Sequence, residues 1–458
     1  MKTSLYDSRR NLRVGIGEGM LGTPWTFIVV PGNFIIAGLL TQYFGIDKVA
    51  YGAIVSLPAW SNALQLVMVP WLSRFLTPKD LTLGLGWFNV GLWSMFAAAL
   101  GFLPVGDARA LTPLFMVFFA LSSLSLTFIG VGWTSWVRDW VPRKVRGVYF
   151  GRRNLLMSLM TVAFLGLAIV FFHFTEHALW PYQALIVTAV FLRYGSIIWQ
   201  YGIRTHADHA DLIQEGWVGH IRDSLHSPGL LAYILFSAWV SFWLGFAGPF
   251  VPVFSYEQLG LVPGTFTILV ILGAFGGLLG WAFWGRQIDR FGSIPVLSIG
   301  LFFWETMNYM WVALNPGNTW LLYPMWLWGG FFSVAYFLGS FNLLLNLLPA
   351  KSKLPGISLN LAATSIAAGV APIIAGALLA HFVEKQGGGI EVYRIGFAVK
   401  STAVLLGYFI LRKMHEPSRS GRTDFPGAFR TLRQLLAIQS LGFLADVTPF
   451  RKRKPHDK

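Results

Sequence analysis

The stretch TFTILVILGAFGGLLGWAFWGRQIDRFG, Thr265 to Gly292, holds no charged residue from Thr265 to Gly285 and then meets Arg286, Asp289 and Arg290 in quick succession. About 20 apolar residues wound as a helix cross the ~30 Å hydrocarbon core of a bilayer, with every backbone polar group satisfied inside the helix. The stretch therefore reads as a membrane span that ends in a charged turn at one face. Gly276 and Gly280, one turn apart, prepare it for close packing against a neighbouring helix.

The same reading extends along the chain. Spans are expected around Val29, Ala63, Leu92, Leu124, Ala163, Val190, Phe242, Leu272, Phe303, Gly330, Gly369 and Leu405, about twelve in all. Composition agrees: 55% of residues are hydrophobic and 12% charged, against roughly 25% charged in an ordinary soluble chain. With no cysteine, disulfides, thiolate nucleophiles and cysteine-held metals are excluded. The net charge of +15 does not describe a nucleic-acid binder, because the basic residues punctuate apolar runs and gather in the tail. The basic first residues lead into a span too long for a signal segment, so no removable signal is expected.

Lys and Arg accumulate in alternate loops. Lys2, Arg9, Arg10 and Arg13 precede the first span, and Arg138, Arg143, Lys144, Arg146, Arg152 and Arg153 surround the loop after the fourth. The intervening loops hold few, among them Lys48, Arg109, Lys385 and Arg394. Positive charge is retained on the cytoplasmic side, so both termini are expected there, in a plasma (inner) membrane.

The chain also looks duplicated. Six spans precede the polar stretch from Arg204 to Pro228 and six follow it. DWVPRKVRGVYFG after the fourth span echoes NLLPAKSKLPG after the tenth: superposing Pro142 on Pro349 sets Asp139 on Asn346 and Arg146 on Lys353. Ser73 to Phe75 likewise echoes Asp289 to Phe291. The expected organisation is a first bundle over 1–203, a central loop over 204–228, a second bundle over 229–414 and a basic tail over 415–458.

GRQIDRFG, Gly285 to Gly292, resembles the GxxxDRxG signature that major facilitator superfamily transporters carry between helices 8 and 9. A degenerate first copy, WLSRFLTPKD, keeps Arg74 but lacks the glycines and the aspartate. DWVPRKVRGVYFGRR is similar to the loop many members carry after helix 4. The resemblance implies an all-α integral membrane protein of two pseudo-symmetric six-helix bundles that transports by alternating access. It gives Asp139, Arg146, Gly285, Asp289, Arg290 and Gly292 a gating role at the cytoplasmic face. The plainer reading of these charges is that they fix topology and solvate the loops.

Ionisable groups inside spans cost on the order of 2.5 to 3.5 kcal/mol at mid-bilayer unless paired or hydrated. Glu18, in the glycine-rich run GIGEGMLG, and Glu305 are the candidates for coupling transport to a proton or sodium ion. Arg193 and Lys400 are the intramembrane cations. In the facilitator arrangement the ninth and twelfth helices are peripheral neighbours, so a Glu305 to Lys400 pair is expected to be structural and away from substrate. The resemblance points substrate contacts at Asn33, Asn62, Gln65, Trp239, Trp243 and Trp326. Indole faces and amides suit a sugar or other neutral polar solute, although most of the twenty tryptophans must be lipid-facing or interfacial.

Pro31, Pro58, Pro249, Pro252 and Pro372 mark expected bends, and GVAPIIAG, Gly369 to Gly376, a flexible point. The fifth span lacks the Gly-Pro element usual in the family's drug antiporters, which disfavours efflux of amphipathic compounds. HADHAD, His206 to Asp211, has metal-ligand residue types without a fourth ligand, and no metal or cofactor is expected. In the tail, Phe429, Leu432, Leu435 and Leu436 share a helical face beside Arg430 and Arg433, as in a helix lying on lipid. The rivals are a polytopic membrane enzyme, which lacks any HExxH, DxD or phosphate loop here, and a membrane protein that has kept the fold without transporting. A monomeric, non-enzymatic transporter of a small solute in the bilayer is the expectation.

Overall fold

The computed structural model describes residues 5–72, 76–141, 146–174, 178–204, 227–348, 353–385, 387, 389–412 and 414. The central-loop histidines, Ser73 to Phe75 of the degenerate motif and the basic tail lie outside them. Every regular element among the described residues is helical. The first half comprises α1 (Leu5–Ile28), α2 (Phe34–Ala37, continued by a π turn over Gly38–Tyr43), α3 (Lys48–Leu72), α4 (Pro78–Ala99), α5 (Ala108–Trp140), α6 (Arg146–Phe174) and α7 (Trp180–Gln200). The second comprises α8 (Pro228–Ala247), α9 (Phe250–Glu257), α10 (Pro263–Phe291), α11 (Ser293–Asn308), α12 (Met310–Ala313), α13 (Leu322–Leu347), α14 (Lys353–Leu379), α15 (Ile390–Leu406) and α16 (Tyr408–Leu411).

Nine helices among the described residues are long and apolar enough to cross a bilayer. The other expected crossings fall on α1 with α2, on α3, and on α11 with α12. The first and last of these are interrupted, which shortens each uninterrupted apolar helix. Local chemistry sets several ends: Thr77 accepts from the Asp80 amide at 3.1 Å to start α4, and Asp107 accepts from the Ala110 amide at 3.2 Å to start α5. Gly292 ends α10 at φ 94°, a backbone position that glycine takes without strain.

The packing of the first half recurs in the second. α1 packs on α6 and α7 as α8 packs on α14 and α15, and α3 and α4 pack on α5 as α10 and α11 pack on α13. The break between α1 and α2 has its counterpart between α8 and α9, at Gly248 and Pro249. The halves meet where α3 lies along α14 and where α6 lies along α10, which exchange under the same correspondence. This is the pseudo-symmetric two-bundle architecture the duplicated sequence implies.

The glycines of the opening stretch do what their spacing predicts. A Cβ on Gly276 would sit 1.9 Å from the Leu327 carbonyl oxygen, and one on Gly280 would sit 2.8 Å from that of Phe331. Gly330 returns the approach from α13, its Cβ position 2.0 Å from the Gly273 oxygen. Without side chains between them, α10 and α13 pack backbone to backbone.

Candidate functional site: a chambered cavity between the halves

Two chambers meet at Phe27, which lines both. The first, about 670 Å³, lies between the halves at the α1–α2 break, against Asn33, Pro58 and Asn62 on one side and Ser241, Thr364 and Pro372 on the other. The second, about 550 Å³, reaches into the second half, between Thr161 and Leu165 of α6 and the walls of α8, α10, α11, α13 and α15. Trp304, Trp311, Trp326, Phe337 and Phe397 place aromatic rings on a mainly apolar wall.

Its polar groups converge on α15. Lys400 Nζ donates to both oxygens of Glu305, at 2.8 and 2.7 Å, and Asn308 adds a hydrogen bond at 3.2 Å. Glu305 is wholly buried, whereas Lys400 and Asn308 face the chamber. The ammonium also lies 5.7 Å from the Trp304 ring centroid. Ser401 Oγ and Trp326 Nε1, both on the lining, are buried without a hydrogen-bond partner. The lining thus carries a cation and two residues with unpartnered buried polar atoms, with the carboxylate behind the cation.

The expected Glu305–Lys400 pair is present, and Lys400 lies on the lining of the second chamber. α15 packs on both α8 and α11, which turns the face bearing Phe397, Lys400 and Ser401 toward the bundle interior. Those three positions share one helical face by their i, i+3, i+4 spacing. That spacing, with Asn308 three residues after Glu305, was the available sequence signal for this wall.

Of the residues expected to touch solute, Asn33 and Asn62 line the first chamber and Trp326 the second, and the others do not join them. Asn33 spends its side chain on the helix break. Its oxygen accepts from the Ile35 and Ile36 amides at 2.8 and 3.0 Å, and its amide donates to the Phe27, Ile28 and Val30 carbonyls. Asn62 accepts from Thr127 Oγ1 at 3.0 Å. Gln65 is half-buried further along α3. Trp239 donates to the Ala403 carbonyl at 2.6 Å, tying α8 to α15, and packs edge-on against Trp243 at 5.8 Å.

Glu18 sits in a separate buried network. Its carboxylate accepts from Arg153 at 2.9 Å, from Trp133 Nε1 at 3.2 Å and from Gln200 at 2.8 Å, while Arg153 also donates to the Gly15 carbonyl. The Arg153 guanidinium lies 4.6 Å from the Trp133 ring centroid. The glycine run makes room for it, since a Cβ on Gly19 would sit 2.8 Å from that guanidinium. Arg193 donates to Ser196 Oγ, whose hydroxyl donates to the Glu18 carbonyl.

At the charged turn, Asp289 and Arg290 are exposed at the end of α10, Gly285 is half-buried and Gly292 ends the helix. The side chains of Asp139 and Arg146 lie outside the described residues. At the other end of the molecule the halves are fastened together. Lys48 pairs with Glu257 at 3.2 Å, Tyr51 donates to the Pro249 carbonyl at 3.0 Å and Tyr256 to the Phe34 carbonyl at 3.0 Å.

Two repeated bundles, broken helices at their interface and a mid-chain cavity define a transporter that works by exposing a central site alternately to either face. Residues 231–450 match the family described as Major Facilitator Superfamily. The second half of the chain thus matches that family, and the chain as a whole is a multi-pass integral membrane protein with the two-bundle fold of its transporters. Among solved structures it is similar to a bacterial homologue of the human lysosomal transporter Spinster in an inward-facing, unoccupied conformation, with a TM-score of 0.62 and 15% identity over 95% of this chain and 99% of that one. It is also similar to the nucleoside transporter NupG, with a TM-score of 0.64 and 10% identity over 89% of this chain and 99% of that one. A bacterial homologue of the iron transporter ferroportin, inward-facing, gives 0.65 and 15% over 90% and 98%. No curated protein sequence matches the chain.

Proposed function

We propose that this transporter carries an amphipathic organic acid, its apolar body against Phe27, Trp304, Trp311 and Trp326 and its acidic end at Lys400, Ser401 and Asn308. The carrying observation is a buried ammonium beside Ser401 and Asn308 on the wall of a chamber lined mainly by aliphatic and aromatic side chains. A sugar would need hydrogen-bonding groups around its whole ring, and Asn33 and Trp239 have already committed theirs.

Coupling to a proton fits the same pair. Lys400 and Glu305 are neutral together, so a bound carboxylate would leave an uncompensated negative charge in a low-dielectric site. That cost is removed when the solute takes the ammonium and a proton from water binds the Glu305 carboxylate, so that acid and proton move together. Tyr336 of α13 also lies within electrostatic reach of Glu305, Tyr309 is bonded to Thr402, and Arg394 is held by Glu391 and the Leu314 carbonyl. Coupling is assigned to Glu305 rather than to Glu18, which lines neither chamber. The Lys and Arg bias supports placing both termini in the cytoplasm, and the packing supports bundles near 1–203 and 229–414.

The test compares naphthalene-2-carboxylate with its carboxamide by ligand-induced thermal stabilisation of the purified full chain. The acid is expected to bind more tightly, its affinity falling about tenfold per pH unit through the range where one proton is taken up, while the amide stays flat. In Glu305→Gln the dependence for the acid disappears. Equal binding of acid and amide at every pH would refute the acidic-end assignment.

A further inference from the structure

A third cavity, about 210 Å³ and lined almost wholly by apolar groups, lies among α8, α9, α14 and α15. Leu378 on one wall and Ile395 and Val399 on the other are exposed, at 43%, 63% and 46%, on helices that cross the bilayer. These rims therefore face hydrocarbon. The inner wall of the groove is shared with the solute chamber, because Ala247 and Phe397 line both.

Phe397 is 4% exposed and packs against Phe254 and Trp311, with centroids at 5.1 and 5.5 Å. The ring of Phe397, with Ala247, thus forms the wall shared by the groove and the chamber. On the chamber side, Lys400 and Ser401 follow Phe397 at one turn along the same helical face. Moving inward, a ligand would meet a lipid-facing apolar groove, the ring of Phe397, and then an ammonium.

We infer that the groove holds the hydrocarbon chain of the transported acid, which reaches the chamber sideways from the bilayer past Phe397. This rests on the amphipathic-acid reading and narrows it to a single-chain organic anion. The head group lies at Lys400 and Ser401, and the tail crosses the shared wall between Ala247 and Phe397. Rotation of the Phe397 ring is then the gating movement, and the halves need not separate for the tail to enter. A compact aromatic acid fills the chamber without using the groove.

The glycine at position 396 supplies the test. It lines the groove, and a Cβ built there meets no atom within 4 Å, so Gly396→Leu fills the groove from α15 in a helix that tolerates leucine well. Leu378→Trp fills it from α14. Bound naphthalene-2-carboxylate is displaced by octanoate, dodecanoate or palmitate, using full-length protein in amphipol. In the wild type, competitor affinity is expected to climb with chain length, by at most roughly fourfold per methylene. In both variants the climb should stop at the shorter acids, with naphthalene-2-carboxylate bound as before.

A climb that survives both substitutions overturns the groove assignment. Loss of the compact acid in both overturns it too, because the groove would then be continuous with the chamber rather than a separate tail site. If the wild type binds the compact acid but shows no climb, the groove fails and the amphipathic-acid reading stands. If the wild type binds no acid at all, that reading fails and takes the groove with it.

Discussion

A lysine held by a wholly buried glutamate inside a bilayer is stable only as a pair. Removing one partner leaves an uncompensated charge, which costs about 3–5 kcal/mol, whereas replacing both by neutral groups of similar size is often tolerated. Lys400→Met is therefore expected to lower the thermal unfolding temperature sharply, and Glu305→Gln with Lys400→Met to recover most of the loss. If the double variant melts as low as the single one, the pair is not the unit argued here. Glu18 obeys the same electrostatics with a different outcome for function. Glu18→Gln takes the charge that Arg153 faces and should destabilise the first half, yet the pH dependence of acid binding should keep its slope. A slope flattened by Glu18→Gln and preserved in Glu305→Gln would reverse the coupling assignment. The two carboxylates were visible in the sequence as intramembrane charges. Their partners were not equally visible: Lys400 was recognisable from comparable depth in neighbouring helices, whereas Arg153 read as a loop cation near a membrane face.

At the scale of helices, the decisive feature is where backbone meets backbone. Gly276 and Gly277 are adjacent in sequence but not equivalent. A Cβ at Gly276 would lie 1.9 Å from the Leu327 carbonyl oxygen, while one at Gly277 has its nearest neighbour at 3.8 Å. Gly276→Ala should push α10 off α13 and reduce the yield of monodisperse protein, at a cost at least in the overpacking range of about 1–3 kcal/mol. Gly277→Ala should be neutral or stabilising by up to about 1 kcal/mol, since alanine favours the helix. Equal behaviour of the two in size-exclusion and melting experiments would refute the seam. The apolar runs and the spacing of Gly276 and Gly280 made this element legible. Asn33, which lines the first chamber, has a second task that was not legible. Its polarity at mid-span suggested a ligand contact, but the same polarity satisfies the backbone groups released where α1 breaks before α2, a demand that appears only once the break exists. Trp239 shows the same limit, because hydropathy cannot say which way an indole on α8 points.

Across the whole molecule, alternating access requires that the fastened end come apart. α3 and α14 touch there through glycines: a Cβ on Gly52 would sit 2.4 Å from the Pro372 oxygen, and one on Gly376 would sit 2.3 Å from the Lys48 oxygen. Those approaches bring Lys48 to Glu257 and Tyr51 to the carbonyl of Pro249, which also lines the first chamber, so the fastening closes that chamber's end. A leucine at Gly376 makes this closed arrangement costly but has no reason to disturb a state in which α3 and α14 have separated. If the overpacking costs about 1–3 kcal/mol in the closed state alone, the open population rises by roughly 5- to 150-fold. The absence of native cysteine allows a direct reading, because Ala37→Cys, fully buried in α2 beneath the fastened end, would carry the only thiol. Its labelling by a membrane-impermeant maleimide is expected to be slow in the otherwise native chain and much faster with Gly376→Leu. Solute transport should fall, because the cycle then lacks a stable state closed at this end. Unchanged labelling in a folded Gly376→Leu protein would mean that the glycine contact merely packs two helices, and the gate would have to be sought in Lys48, Tyr51 and their partners instead.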